Sequence, residues 1–253
     1  KFLTFESEDP YDLLNNIKFG SASKRWQSAY ELSTILSSSE FVRTDNAFKE
    51  AFIDTYQKSE HDDYKVRMYL ILAMGKTKDV YYGDVLLESL DDKLLEIRLA
   101  AIQSLGQLQY KPAIKNIYKL LDSNFNSEIL ASIVAIGQIG DTNSSPVLKE
   151  MLNHEEANIR WDAAIALAKM GNNSGKKIIN QLLDRKYYDN YNNVDEWEEA
   201  KAVMTAIQVS SRLKEPIFKK NLVSLATYDL NMDIRNAAIK VLKTIYNIEI
   251  SNG

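Results

Sequence analysis

The sequence predicts an all-α fold, a right-handed superhelix of about seven helical hairpins. Similar segments recur at a fixed interval, and the apolar residues inside them keep helical spacing. Gly and Pro, nine and four in 253 residues, are sparse and alternating β-type runs are scarce. With 45% hydrophobic and 26% charged residues the chain can bury a substantial core.

In chain order, the copies begin loosely with "SKRWQSAYELSTIL" at Arg25. Four regular copies follow: "YKVRMYLILAMGK", "LEIRLAAIQSLGQL", "SEILASIVAIGQIG" and "ANIRWDAAIALAKMG". Their anchors Arg67, Arg98, Ile129 and Arg160 are evenly 31 residues apart. Looser copies return at "EEAKAVMTAIQV" (Glu199) and "MDIRNAAIKVLKTI" (Arg235). Three, four, seven and ten residues past each anchor the side chain is apolar or small, as in Ala101, Ile102, Leu105 and Leu108, which makes one buried helical stripe. Eight residues past the anchor, Gly75, Gly106, Gly137 and Ala168 leave room for close helix packing, and Gly140 and Gly171 suit the turn that follows.

A shorter amphipathic helix precedes these segments in "VYYGDVLLESL", "PAIKNIYKLLD", "SSPVLKEMLN", "SGKKIINQLLD" and "EPIFKKNLVSLA". Pro112 and Pro146 stand near helix starts, where a missing N–H is tolerated. One such hairpin cannot cover its own apolar face, so neighbours must stack. The reading is a single solenoid over residues 1–253. It has irregular repeats over 9–60, regular repeats over 61–184, an insertion at 185–195 and C-terminal repeats over 196–248.

The segments "EIRLAAIQSLGQL" and "ANIRWDAAIALAKMG" resemble the HEAT repeat, in particular the short bacterial type called PBS-lyase HEAT-like. The opening "DLLNNIKFGSASKRWQSAYELSTIL" also resembles membrane-tethered bacterial HEAT-repeat proteins. The resemblance implies an inter-repeat ladder in which Asp91 and Asp122, with Asp184 as a third candidate, pair with Arg67, Arg98, Arg160 and Arg235. Ile129 interrupts it. It also implies a concave face lined by the second helices. Positions two, six and nine past the anchor would face outward there, among them Tyr69, Ala73, Lys76, Ala100, Ser104, Gln107, Ala131, Ala135, Gln138, Asp162, Ala166 and Lys169. Such a column can admit a peptide, with Gln107 and Gln138 as amide partners and Lys76 and Lys169 as flanking cations; the alternative is tight packing with the Gln side chains in water.

Chemistry is poorly represented. The absence of Cys excludes disulfides, thiolate metal sites and Cys nucleophiles. Deoxyhypusine hydroxylase, built from similar repeats, holds two irons with several His-Glu pairs; this chain has two His and one such pair, His154-Glu155. Glycosylases of similar architecture use an Asp and aromatics in a basic cleft. Here Trp161 and Asp162 sit in an acidic chain, and Trp161 falls in a packing column with Trp26, Met68, Leu99 and Leu130. No Gly-x-Ser-x-Gly or phosphate-binding Gly loop occurs. With net charge −4 and no basic stripe, nucleic acid is not an expected partner.

From Arg160 to Glu199 is 39 residues, about eight more than the regular period. The extra residues fall in "RKYYDNYNNVDEWEE", starting at Arg185. Its acidic end reads as a helix start: Asp195 with Glu198 has capping-box spacing, and carboxylates favour the first turn. Its front offers Arg185, Tyr187, Tyr188 and Tyr191, with Trp197 just beyond. These either contact a partner or fold back over the core. The expected function is a non-enzymatic scaffold or adaptor that binds a protein partner on the concave face or this loop. The alternative is a repeat-scaffold enzyme, lyase- or hydroxylase-like, acting on a protein or pigment. No cofactor, metal or small molecule is expected. The opening "KFLTF" reads as the end of something longer, such as an anchor joining a membrane complex; the cytoplasm is the favoured compartment, with tethering or export as alternatives.

Overall fold

The computed structural model describes residues 9–37 and 45–250. The "KFLTF" opening lies outside them. Fourteen α-helices among the described residues make seven consecutive hairpins, and contacts divide the chain into two compact units, Lys1–Ile139 and Gly140–Gly253.

The first unit holds α1 (Pro10–Phe19), α2 (Ala22–Ile35), α3 (Asn46–Lys58), α4 (Tyr64–Lys76), α5 (Gly83–Glu88), α6 (Leu95–Gln107), α7 (Ile114–Lys119) and α8 (Asn126–Ile139). Carboxylates start several of them: Asp9, Asp45 and Asp63 accept from backbone N–H groups of α1, α3 and α4. The short α5 and α7 are entered through 3-10 turns, Val80–Tyr82 and Lys111–Ala113, the second containing Pro112. The core is the expected stripe, with Leu70, Ile71, Met74, Ala101, Ile102, Leu105, Ile133 and Ile136 all buried.

The small residues do what their spacing predicts. A Cβ on Gly75 would lie 2.8 Å from the Ser104 Cα, and one on Gly106 would lie 2.9 Å from the Ala135 Cα. Backbones of successive second helices thus meet at glycine. This contact also buries the sixth position past each anchor. Ala73, Ser104 and Ala135 are enclosed, and the Ser104 hydroxyl donates to the Ile71 carbonyl at 3.0 Å.

The second unit holds α9 (Ser145–Met151), α10 (Ala157–Lys169), α11 (Lys176–Leu182), a 3-10 segment (Arg185–Asn190), α12 (Glu196–Leu213), α13 (Lys219–Tyr228) and α14 (Met232–Tyr246). Pro146 stands in the first turn of α9 as its spacing suggests. Gly171 takes the left-handed turn after α10 with φ 77°, where a side chain would be strained. One apolar core runs through the unit, from Ala164 and Ala168 through Ile179, Leu182, Val203 and Ile207 to Phe218, Leu222, Ile234 and Leu242. Among the described residues no helix is long and apolar enough to cross a membrane.

The arginine ladder departs from the expected one. Arg67 pairs with Asp92, not Asp91, because the 3-10 turn ends at Asp91 and the extended Asp92 turns its carboxylate back. Arg98 pairs with Glu128 of α8 at 2.6 Å. Asp122 is exposed, and Ser123 donates its hydroxyl to Glu128 instead. Ile129 is buried in the core. Arg160 and Arg235, unlike Arg67 and Arg98, make no ion pair to another repeat among the described residues. Each bends back to brace its own turn, Arg160 on the carbonyls of His154 and Glu155, and Arg235 on those of Asp229 and Leu230. Asp184 caps the 3-10 segment by accepting from the Lys186 N–H.

Candidate functional site

The 185–195 insertion begins as a brace. The Arg185 guanidinium donates from Nε and Nη2 to both Asp229 oxygens at 2.8 and 3.1 Å, and from Nη1 to Glu199 at 2.8 Å. Glu199 occupies the place where regular repeats carry their anchoring Arg, so here the signs are exchanged. The Asp229 side chain is 1% exposed, and Asn231 N–H also donates to it. Burial lowers the Arg185 pKa, but the two carboxylates overcome this and hold it above the usual guanidinium range. Arg185, offered by the sequence as a partner contact, is therefore paired within the fold through three of its five N–H groups.

The tyrosines close over the core. Tyr188 is buried, and its hydroxyl donates to the Leu182 carbonyl at 3.0 Å. Burial pushes the Tyr188 phenol up. Tyr187 and Tyr191 are half-buried and share a 2.8 Å hydroxyl–hydroxyl bond. Both rings meet Trp161, with centroids at 6.1 and 5.0 Å, and the indole N–H donates to the Tyr187 hydroxyl. Of the two readings of this loop, core cover is the one its geometry supports.

Trp197 behaves differently. It follows the capping box of Asp195 and Glu198, which forms as its spacing suggests, and stands 68% exposed. The first turn of α12 and the turn between α13 and α14 enclose a groove of about 900 Å³. Trp197, Ala200, Tyr228 and Leu230 supply its apolar surface, with Tyr228 at 79% and Leu230 at 97% exposure. Four carboxylates, Asp195, Glu196, Glu199 and Asp229, line it against the single guanidinium of Arg185. Lys201 lies over the Trp197 ring at 5.0 Å. The sequence reading missed Tyr228 and Leu230. The available signal was "TYDLNMD", where two large apolar residues flank an acid in a turn and match no helical stripe.

The outward column holds less open space than its spacing suggests. Tyr69 is half-buried against Tyr30, ring centroids 5.3 Å apart. Lys76 and Lys169 are exposed, and Gln107 is half-buried. Gln138 turns its amide oxygen into the packing against Gly106, where it is buried without a hydrogen-bond partner. In α10, burial pushes the Asp162 carboxyl up to about 6, against the opposing pull of Lys169 and Lys201. Among the described residues no group of three or more His, Cys, Asp or Glu is arranged to hold a metal.

A family model for HEAT repeats matches residues 54–135 and 117–193. The chain belongs to the HEAT-repeat family. A curated relative, phycocyanobilin lyase subunit alpha of a Picosynechococcus species, is 29% identical over 140 residues. That match covers 51% of this chain and 52% of the relative, so the chain spans about half the length of the protein it matches. Among solved structures, the complex of CpcE and CpcF of phycocyanin lyase from Nostoc sp. PCC7120 aligns with TM-score 0.65 at 20% identity, over 96% of this chain and 90% of that one. An archaeal HEAT-like repeats protein from Thermococcus onnurineus aligns with TM-score 0.53 at 16% identity, covering 94% and 97%. At these identities the structures support the fold alone, an all-α superhelical repeat. The chain is a HEAT-repeat scaffold, and part of it resembles a phycocyanobilin lyase subunit.

Proposed function

We propose that this HEAT-repeat scaffold is a non-catalytic adaptor that docks a partner protein, with the groove between the α12 start and the α13–α14 turn as its principal contact. The observation that carries the reading is the set of Trp197, Tyr228 and Leu230, large apolar side chains left in solvent around one concavity. The Arg185 brace fixes that concavity, since it ties the insertion to both Glu199 and Asp229. The test is affinity purification from the native cell with the wild type and a Trp197→Ala/Leu230→Ser variant in parallel. A protein recovered by the first and lost by the second supports docking, and equal recovery refutes it.

A second reading, a lyase-type role on a pigment, is favoured by the curated relative's name and by the proton affinity of Asp162. A carboxyl that titrates near neutral pH is suited to giving or taking a proton. Its test is to add phycocyanobilin to the purified chain and follow visible absorption. No spectral change, or the same change with Asp162→Asn, refutes this reading.

A further inference from the structure

We infer that the occupant of the Trp197 groove is a positively charged amphipathic segment of a partner protein. This rests on the docking reading above and adds the chemistry of what docks.

Charge complementarity carries the inference. Four carboxylates and one guanidinium line the groove, and Lys201 stands beside it over the Trp197 ring. Two of the acids, Glu199 and Asp229, are held by Arg185. Asp195 is the N-cap of α12. Glu196 remains exposed at the rim with no ion pair among the described residues. The field across the apolar patch is therefore negative even with Lys201 counted, and it draws a segment carrying Lys or Arg next to its apolar residues. The apolar part of such a segment meets Trp197, Tyr228 and Leu230, while its cations meet the carboxylate rim and the free face of the indole. A second copy of the chain is a poorer occupant: its net charge is −4, and the same acidic rim would face itself.

The test uses the full chain and three fluorescein-labelled helical peptides of equal length and apolar spacing, built of leucine with lysine, glutamine or glutamate. The expected result is that the lysine peptide binds about tenfold tighter than the glutamine peptide and weakens with salt. Trp197→Ala/Leu230→Ser should lower its affinity by about tenfold with no change in charge. Glu196→Lys should weaken the lysine peptide and strengthen the glutamate one. If binding depends on Trp197 but the glutamate peptide binds as tightly as the lysine peptide, the charge assignment is overturned and docking stands. If no peptide shows Trp197-dependent binding, both are overturned. A dimer on sizing chromatography that Trp197→Ala dissolves assigns the groove to a second copy and overturns the inference.

Discussion

Replacing Arg185 with Ala should destabilise the second unit more than any exposed substitution in the chain. The structure sets the scale. Arg185 gives three charge-assisted hydrogen bonds, two of them to an Asp229 carboxylate that is 1% exposed. Removing the guanidinium leaves that carboxylate buried with the Asn231 N–H as its one remaining partner from these contacts. Breaking a buried pair in this way costs about 3–5 kcal/mol. Arg185 is itself 31% exposed, which moves the expectation to the lower end, about 3 kcal/mol. At about 2–4 °C per kcal/mol for a chain of this size, the midpoint should fall by roughly 6–12 °C. Thermal unfolding followed by circular dichroism measures it. Asp229→Asn should cost less, because Arg185 keeps Glu199 and some water. A midpoint shift for Arg185→Ala equivalent to less than about 1 kcal/mol, or a larger loss for Asp229→Asn, would refute the reasoning.

Gly106→Ala should destabilise by about 1–3 kcal/mol in a thermal melt, since its Cβ would meet the Ala135 backbone of the next second helix. Trp197→Ala, by contrast, should leave the melt within about 0.5 kcal/mol of wild type because the ring is exposed. For Glu128, burial raises the carboxyl pKa, but Arg98 and Ser123 more than reverse this, and the net value is lowered. Its stabilising contribution is present above the ordinary carboxylate range and lost as pH falls through the lowered value; Glu128→Gln should flatten that acid limb in pH-dependent urea titrations. Asp162 acts in the opposite sense. With its carboxyl raised to about 6, stability should fall as pH rises from the usual Asp range toward 6, and Asp162→Asn should recover about 1–2 kcal/mol at pH 7.

The hairpins and their glycine contacts were legible because the 31-residue interval places Gly75 and Gly106 at the same point of successive helices. The capping box at Asp195 and Glu198 was legible because it is a local device. The groove was not. A helix packed against both its hairpin partner and the next second helix buries a wide arc, so Ala73, Ser104 and Ala135, which the spacing alone places outward, are buried and their small size marks a helix contact. The ladder was displaced by one residue at Asp92, since spacing alone does not say where a 3-10 turn ends. Trp197 lies about thirty residues before Tyr228 and Leu230 in sequence, and the three become one surface only after α12 has packed on the α13–α14 hairpin.

The exchanged signs at Arg185 and Glu199 bear on how this gene can be rearranged. A regular unit such as the one anchored at Arg98 matches its neighbours in length, so its duplication or excision keeps the 31-residue interval. The sixth unit is not interchangeable: moved alone, it would present Arg185 to a neighbour without Asp229, and a standard unit in its place would strand that aspartate. Recombination that preserves this protein must therefore carry the last two hairpins together, as one block.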